Sequence, residues 1–525
     1  MAGQKARREP VRFWGQALSL RTVWGSVWNL FWVSLMVMPY VSYLGLLGMV
    51  AVTARLWGRF RRAGLDRVTG GGLLLLSGLL LLSGLFAHDR GEALLQLANF
   101  LPYFLFFAIL PYLLNCVERL AQIALGLVLV AIPINLISLV EYIIKIPRMP
   151  VWWRHFPLFR WIRAAPHKGR AMVMFDHPNA MGSFLVLVMA LGLGLILYRL
   201  ALDRAVVPHS LPDSTESVWS DRQPDAQNAG AEALQSVSLR LISGATLLNL
   251  LGIFCTGSRN ALLLAVLQLL CFALVVARSS WKTVAAALGG LVVMVGGAAV
   301  IGIGGRSLDL ATWADDPRTK LWGAAVQMVG DHPWLGWGLG NYKLVYPQYL
   351  TPDLMALTDF QDISHAHNLW LTLAVEAGIP AMLLLTLLVG RICARGVRQL
   401  LAKSLKAPER GILFGYLLGF FSSVGFALFD VPLYDSRVNV LNWVLLAGIF
   451  SFAAKKPINS LPLPQRSLAG FLSQSRADNN RQLCRCNQPK RQIHHLIRCL
   501  LVGIHAHVRL AQFLLESVYI YLQAV

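Results

Sequence analysis

The residues best suited to chemistry sit at the edges of apolar runs. The stretch SHAHNLWLTLAVEAGIP (364–380) brings His365, His367 and Asn368 to the mouth of one such run and places Glu376 inside it. A histidine near neutral pH can take a proton from a hydroxyl. An acid within a membrane helix is expensive and is retained for function or for a partner. The bland alternative is that the histidines cap the helix or bond to loop backbone. Neither reading excludes the other from residue types alone.

Cations accompany this group. Arg259, in CTGSRNALL, interrupts a nearly continuous apolar stretch. It reads either as a snorkelling interfacial arginine or as a fork for a phosphate. Arg318, in DDPRTKLWGAA, lies beside Asp315 and Asp316, and Arg437 follows Asp430, Tyr434 and Asp435 in FDVPLYDSR. Arg170 ends a segment, 145–170, in which Lys145, Arg148, Arg154, Arg160, Arg163 and Lys168 alternate with Trp152, Trp153 and Trp161. That mixture suits the headgroup layer, as a simple anchor or as an attraction for an anionic lipid head. These residues give a candidate set: His367, His365 and Glu376 for catalysis, and Arg259, Arg318, Asn368, Arg437 and Arg170 for substrate. A paired carboxylate cluster with metal-ligand spacing is not evident, and no metal or other cofactor is expected. In the tail, Cys484, Cys486, His494 and His495 match no zinc spacing.

The elements that must carry these residues are transmembrane helices. Of 525 residues 56% are hydrophobic and only 14% charged, where a soluble chain carries roughly a quarter charged. Apolar runs near 27–54, 70–86, 94–115, 119–143, 172–198, 239–257, 261–277, 283–303, 369–390, 411–429 and 439–454 have spanning length. The net charge of +21 lies at the ends of these runs, which follows the positive-inside bias and argues against nucleic acid as partner. The seven cysteines are mostly in or beside apolar runs, the pattern of buried thiols and not of a secretory disulfide framework.

Basic clusters flank 27–54 on both sides, and Pro39 offers a break. We therefore expect two crossings there, an all-α bundle of about twelve spans, and both termini on the cytoplasmic side. Residues 1–26 are then a basic N-terminus, 27–303 a bundle with a polar cytoplasmic insertion at 202–238, 304–368 a large outer loop, 369–456 further spans, and 457–525 a basic tail. The outer loop is too aromatic for a linker. Its run DHPWLGWGLGNY (331–342) predicts a tight turn set by Gly336, Gly338 and Gly340, and 318–330 predicts a short amphipathic helix.

The two runs of this loop, Arg259 in GSRNALL, and FDHPNAMGSF at 175–184 together resemble the O-antigen ligase and polymerase family over roughly 25–455. The resemblance implies a metal-independent glycosyltransferase of the GT-C type in the bacterial inner membrane. Its donor would be a glycan on undecaprenyl pyrophosphate and its acceptor a lipid or glycan hydroxyl. It further implies that Arg259 and Arg318 engage the pyrophosphate and that His367 is the base, with His365 sharing or supporting that role. The chain also resembles cyanobacterial relatives labelled inorganic-carbon (bicarbonate) transporters. A transporter gathers its polar groups near the midplane, whereas these gather at one face, which favours the transferase.

Overall fold

The computed structural model describes residues 27–60, 65–144, 169–206, 237–277, 317–355 and 363–453, with isolated positions at 285, 289 and 296. Among the described residues every regular element is helical. The basic N-terminus, most of the aromatic-basic segment 145–170, the insertion, the run at 283–303 and the tail lie outside them. Among the described residues eight helices are long and apolar enough to cross a membrane, so the chain is a multi-pass membrane protein.

The first apolar segment is a pair of helices broken around Pro39. It forms α1 (Val27–Val37) and α2 (Ser42–Phe60), joined by a turn at 38–40. The two are antiparallel and close, since a Cβ on Gly48 would lie 1.9 Å from Ser34 Oγ and one on Gly45 2.6 Å from Met38 Cβ. At the open end, the guanidinium of Arg119 lies 4.9 Å from the Trp28 ring. At the turn, Tyr40 donates to the Val130 carbonyl at 2.5 Å. Both contacts are to the helix Val117–Ile144, so the hairpin advances from residue 119 to residue 130, about 16 Å of helix. That is about half of a ~30 Å hydrocarbon core. The pair begins and ends on the same side of the bundle; α1, at 11 residues, is shorter than a full crossing, whereas α2, at 19 residues, is about 28 Å long.

The bundle continues with α3 (Arg67–Leu85), α4 (Arg90–Gln96), α5 (Leu101–Leu113), α6 (Val117–Ile144), α7 (Pro178–Val206), α8 (Leu239–Cys255) and α9 (Arg259–Ala277). After the amphipathic α10 (Pro317–Asp331) and the single turns α11 (Tyr342–Val345) and α12 (Pro352–Met355) come α13 (Leu369–Leu401), α14 (Ala407–Ala427) and α15 (Ser436–Ala453). Its centre is α7, packed on α14 through small residues. A Cβ on Gly194 would meet Gly415 Cα at 2.5 Å, and one on Gly411 would meet the Tyr198 nitrogen at 2.7 Å. In lipid, where apolar contact alone gives helices no reason to associate, such close backbone approach supplies the packing. At one end of the bundle Asp66 pairs with Arg391 and Arg395 at 3.1 and 2.6 Å. The candidate residues gather at the other end.

The run at 331–342 explains how the histidine-bearing helix is held. α13 is broken at Gly378 (φ 83°, ψ 161°), just ahead of Pro380. The break leaves backbone groups without helical partners, and the glycine turn takes them up. The Val375 carbonyl accepts from Trp337 N–H at 2.8 Å, the Glu376 carbonyl from Gly338 N–H at 2.9 Å, and Ile379 N–H donates to the Pro333 carbonyl at 2.8 Å. Gly336, Gly338 and Gly340 all have positive φ, so the expected backbone-determined turn is present. Over it α10 forms a small second core with Leu321, Ala325 and Met328 against Tyr342, Tyr346, Ala366 and Val375.

Candidate active site

Four helices begin around one short segment, 426–437. Asn179, in the first turn of α7, donates to Asp430 Oδ2 at 2.8 Å. Asn260, in the first turn of α9, donates to the Phe426 carbonyl at 3.1 Å. Asn368 caps α13 by accepting from Leu371 N–H at 3.0 Å, and donates to the Leu428 carbonyl at 3.1 Å. Arg437, at the start of α15, pairs with Asp435 at 3.1 Å, donates to the Met174 carbonyl at 3.0 Å and covers the Phe175 ring at 4.6 Å. These contacts hold the segment in place, and they commit the amide of Asn368 and the fork of Arg437 to protein partners.

Asp430 stands at the middle. Its Oδ1 lies 3.5 Å from His367 Nδ1 and 3.9 Å from His365 Nε2. Burial raises the Asp430 pKa, but the hydrogen bond and charge of His367, then the charge of His365 and the Val431 N–H, outweigh it and hold the carboxylate well below its usual range. The two imidazoles meet edge to face at 4.6 Å. His367 has a positive φ of 50°, a conformation uncommon outside glycine. That backbone lets its own N–H reach His365 Nδ1 at 3.1 Å. His365 Nδ1 is therefore an acceptor, which places the proton of the neutral ring on Nε2. Burial first, and the charge of His367 second, push His365 down to about 4, so it is neutral at physiological pH. The His367 side chain is 29% exposed while its Nδ1 is buried.

The structure distributes the remaining candidates in two ways. Arg170 is buried, with Nε donating to the Thr256 carbonyl and Nη2 to Asn179 Oδ1, both at 2.7 Å. It fixes Asn179 and through it Asp430. Glu376 is buried and its carboxylate is taken up by protein donors, accepting from Tyr434 at 3.0 Å and from the N–H groups of Tyr342 and Gly340. Tyr434 in turn stacks on His365, with ring centroids 5.8 Å apart. Arg318, half-buried on the first turn of α10, is close enough for its charge to help depress His365, as is His177. Arg259 opens α9 beside Asn260 and is half-buried.

Sequence reasoning placed Asp430 and Tyr434 near the candidates but gave neither a role, and it gave none to Asn179. The available signal was a polar residue retained at the boundary of an apolar run in both FDHPNAMGSF and FDVPLYDSR.

The groups His365, His367 and Asp430 offer ligand atoms within 4.8 Å of one another, close enough for an ion. A metal on His365 Nε2 would displace the proton that the His367 N–H bond assigns to that nitrogen. The arrangement fits an Asp-oriented base more simply. A carboxylate on Nδ1 fixes the ring and stabilises the imidazolium formed when the other nitrogen takes a proton.

None of the curated proteins compared with the chain matches it. Residues 244–386 match the family model described as O-Antigen ligase. This stretch holds Arg259, Arg318, His365, His367, Asn368 and Glu376, while Arg170 and Asp430 lie outside it. The resemblance carried by the loop motifs is thus shown over that stretch, which is similar to the O-antigen ligase family.

Proposed function

We propose that the protein is a glycosyltransferase that moves a glycan from an undecaprenyl pyrophosphate donor to an acceptor hydroxyl on the outer face of the inner membrane. Both termini lie in the cytoplasm, and neither a metal nor another cofactor takes part. The observation that carries this reading is the Asp430–His367 pair, at 3.5 Å, set among helix N-termini. α7, α9, α13 and α15 all begin here, and each helix start bears a partial positive charge suited to phosphate. Arg170 and Arg318 add to that field, and Arg259 opens one of the helices.

In the reaction the acceptor oxygen bonds to the anomeric carbon of the donor sugar. His367 Nε2 takes the hydroxyl proton, with Asp430 holding Nδ1 and compensating the charge. The bond from anomeric carbon to pyrophosphate breaks, its electron pair leaves with the pyrophosphate oxygen, and Arg259 and Arg318 balance the negative charge that develops there. His365, neutral and stacked on Tyr434, shapes the pocket beside the base. His367→Ala and Arg259→Ala are expected to abolish glycan attachment in cells while the protein still inserts. Normal glycan profiles in both variants, at matched protein levels, would overturn the proposal.

A further inference from the structure

One aromatic pair lies beside the histidines and outside the buried core. Trp322, one helical turn beyond Arg318 on α10, donates its indole N–H to the Ala366 carbonyl at 3.0 Å. Its ring lies 6.3 Å from that of Phe429, tilted by 37°. Ala366 stands between His365 and His367, and Phe429 immediately precedes Asp430, so the pair borders the Asp430–His367 dyad. Phe429 remains 38% exposed, while Phe426 in the preceding turn is 2% exposed. A tryptophan that merely anchors a protein in the headgroup layer turns its N–H toward that layer. Here the N–H is used inside the protein, and its role is to fix the plane of the ring.

A fixed aromatic surface formed by Phe429, next in sequence to Asp430, and by Trp322, bonded to the residue before His367 and one turn from Arg318 on α10, suits a ligand with one apolar face and a polar edge. A pyranose ring is such a ligand. Its axial C–H groups form an apolar face, and its hydroxyls reach hydrogen-bonding groups at the rim. We propose that Trp322 and Phe429 form a saccharide subsite, on which a pyranose ring next to the transferred bond stacks. The inference rests on the proposed transferase reading for the source of that sugar, but binding itself can be measured without turnover.

The experiment uses the full chain in lipid nanodiscs and saturation-transfer NMR with methyl glucoside, galactoside, mannoside and N-acetylglucosaminide at millimolar concentration. At least one pyranoside is expected to receive saturation at its ring C–H protons. The signal should fall at least fivefold in Trp322→Leu and Phe429→Leu. Trp322→Phe and Phe429→Trp keep an aromatic face and should retain most of it, and Phe429→Leu decides alone if Trp322→Leu fails to fold. An absence of saturation in the wild type, or equal saturation in wild type and both leucine variants, overturns the subsite.

In steady-state transfer, a KM raised about tenfold for the lipid-linked donor alone places the ring in the donor. The same rise for the acceptor alone places it there, and either result supports the subsite. Pyranoside binding that depends on Trp322 and Phe429, in a protein that transfers no glycan, would leave the subsite standing while the transferase reading falls.

Discussion

Tyr434 joins two parts of the site that sequence separates. Its hydroxyl donates to Glu376 at 3.0 Å while its ring stacks on His365 at 5.8 Å. Glu376 also holds the glycine turn through Tyr342 and Gly340, so the turn, the broken helix and His365 form one connected unit. Glu376 then acts through Tyr434 as a positioning residue. Tyr434→Phe keeps the ring and removes one hydrogen bond, a change of about 0.5–1.5 kcal/mol. We expect kcat to fall about two- to tenfold with the donor KM nearly unchanged. A normal kcat would disconnect Glu376 from the histidines.

Asp430 is expected to matter more. Asp430→Asn preserves size and the contact with Asn179 but removes the charge that orients His367 and stabilises its protonated form. A fall in kcat of about 10²- to 10⁴-fold is expected, the range typical of a general base, without loss of the folded protein. Activity within threefold of wild type would show that His367 works without the carboxylate.

How much of this was legible before the structure depends on the range of each interaction. Helices declare themselves through apolar windows, and the turn at 331–342 through its glycines, because both are local. The hairpin at 27–60 was legible only in part. Basic flanks and Pro39 predict entry and exit on one side, whereas the contact of Tyr40 with α6 is tertiary. The partnership of Asp430 with the two histidines is purely tertiary, formed because α13 begins and α14 ends at the same face. Likewise the type of Arg170 or Arg437 says nothing about whether its fork meets substrate or a backbone carbonyl.

Gly378 should tolerate no side chain. Its φ is 83°, and a Cβ there would lie 2.2 Å from the Trp334 carbonyl oxygen. Gly378→Ala combines backbone strain with that clash, a loss of about 1–3 kcal/mol from the strain alone. The thermal midpoint in detergent is expected to drop by several degrees. An unchanged midpoint would mean that the break is easily rearranged.

The depth of the N-terminal hairpin can be read by labelling. With native cysteines replaced, a cysteine in place of Val41, at the turn, is expected to resist a membrane-impermeant maleimide from either side. One in place of Arg55 should react from the cytoplasmic side only. Reaction at position 41 from the outer side would mean that α1 and α2 cross completely.

Acid should weaken the fold through His365. Its pKa lies at about 4 in the folded protein against 6.5 for an unperturbed histidine, so between these values the unfolded chain binds the extra proton. Stability is then complete above about pH 6.5 and is lost progressively as pH falls toward 4. The Asp430 carboxylate, depressed in the folded state, adds a loss of the same sign only at lower pH. Thermal midpoints between pH 8 and pH 4 should therefore decline, and His365→Asn should flatten the part of the decline between pH 6.5 and 4. A variant whose curve parallels the wild type would show that His365 is not held neutral by its surroundings.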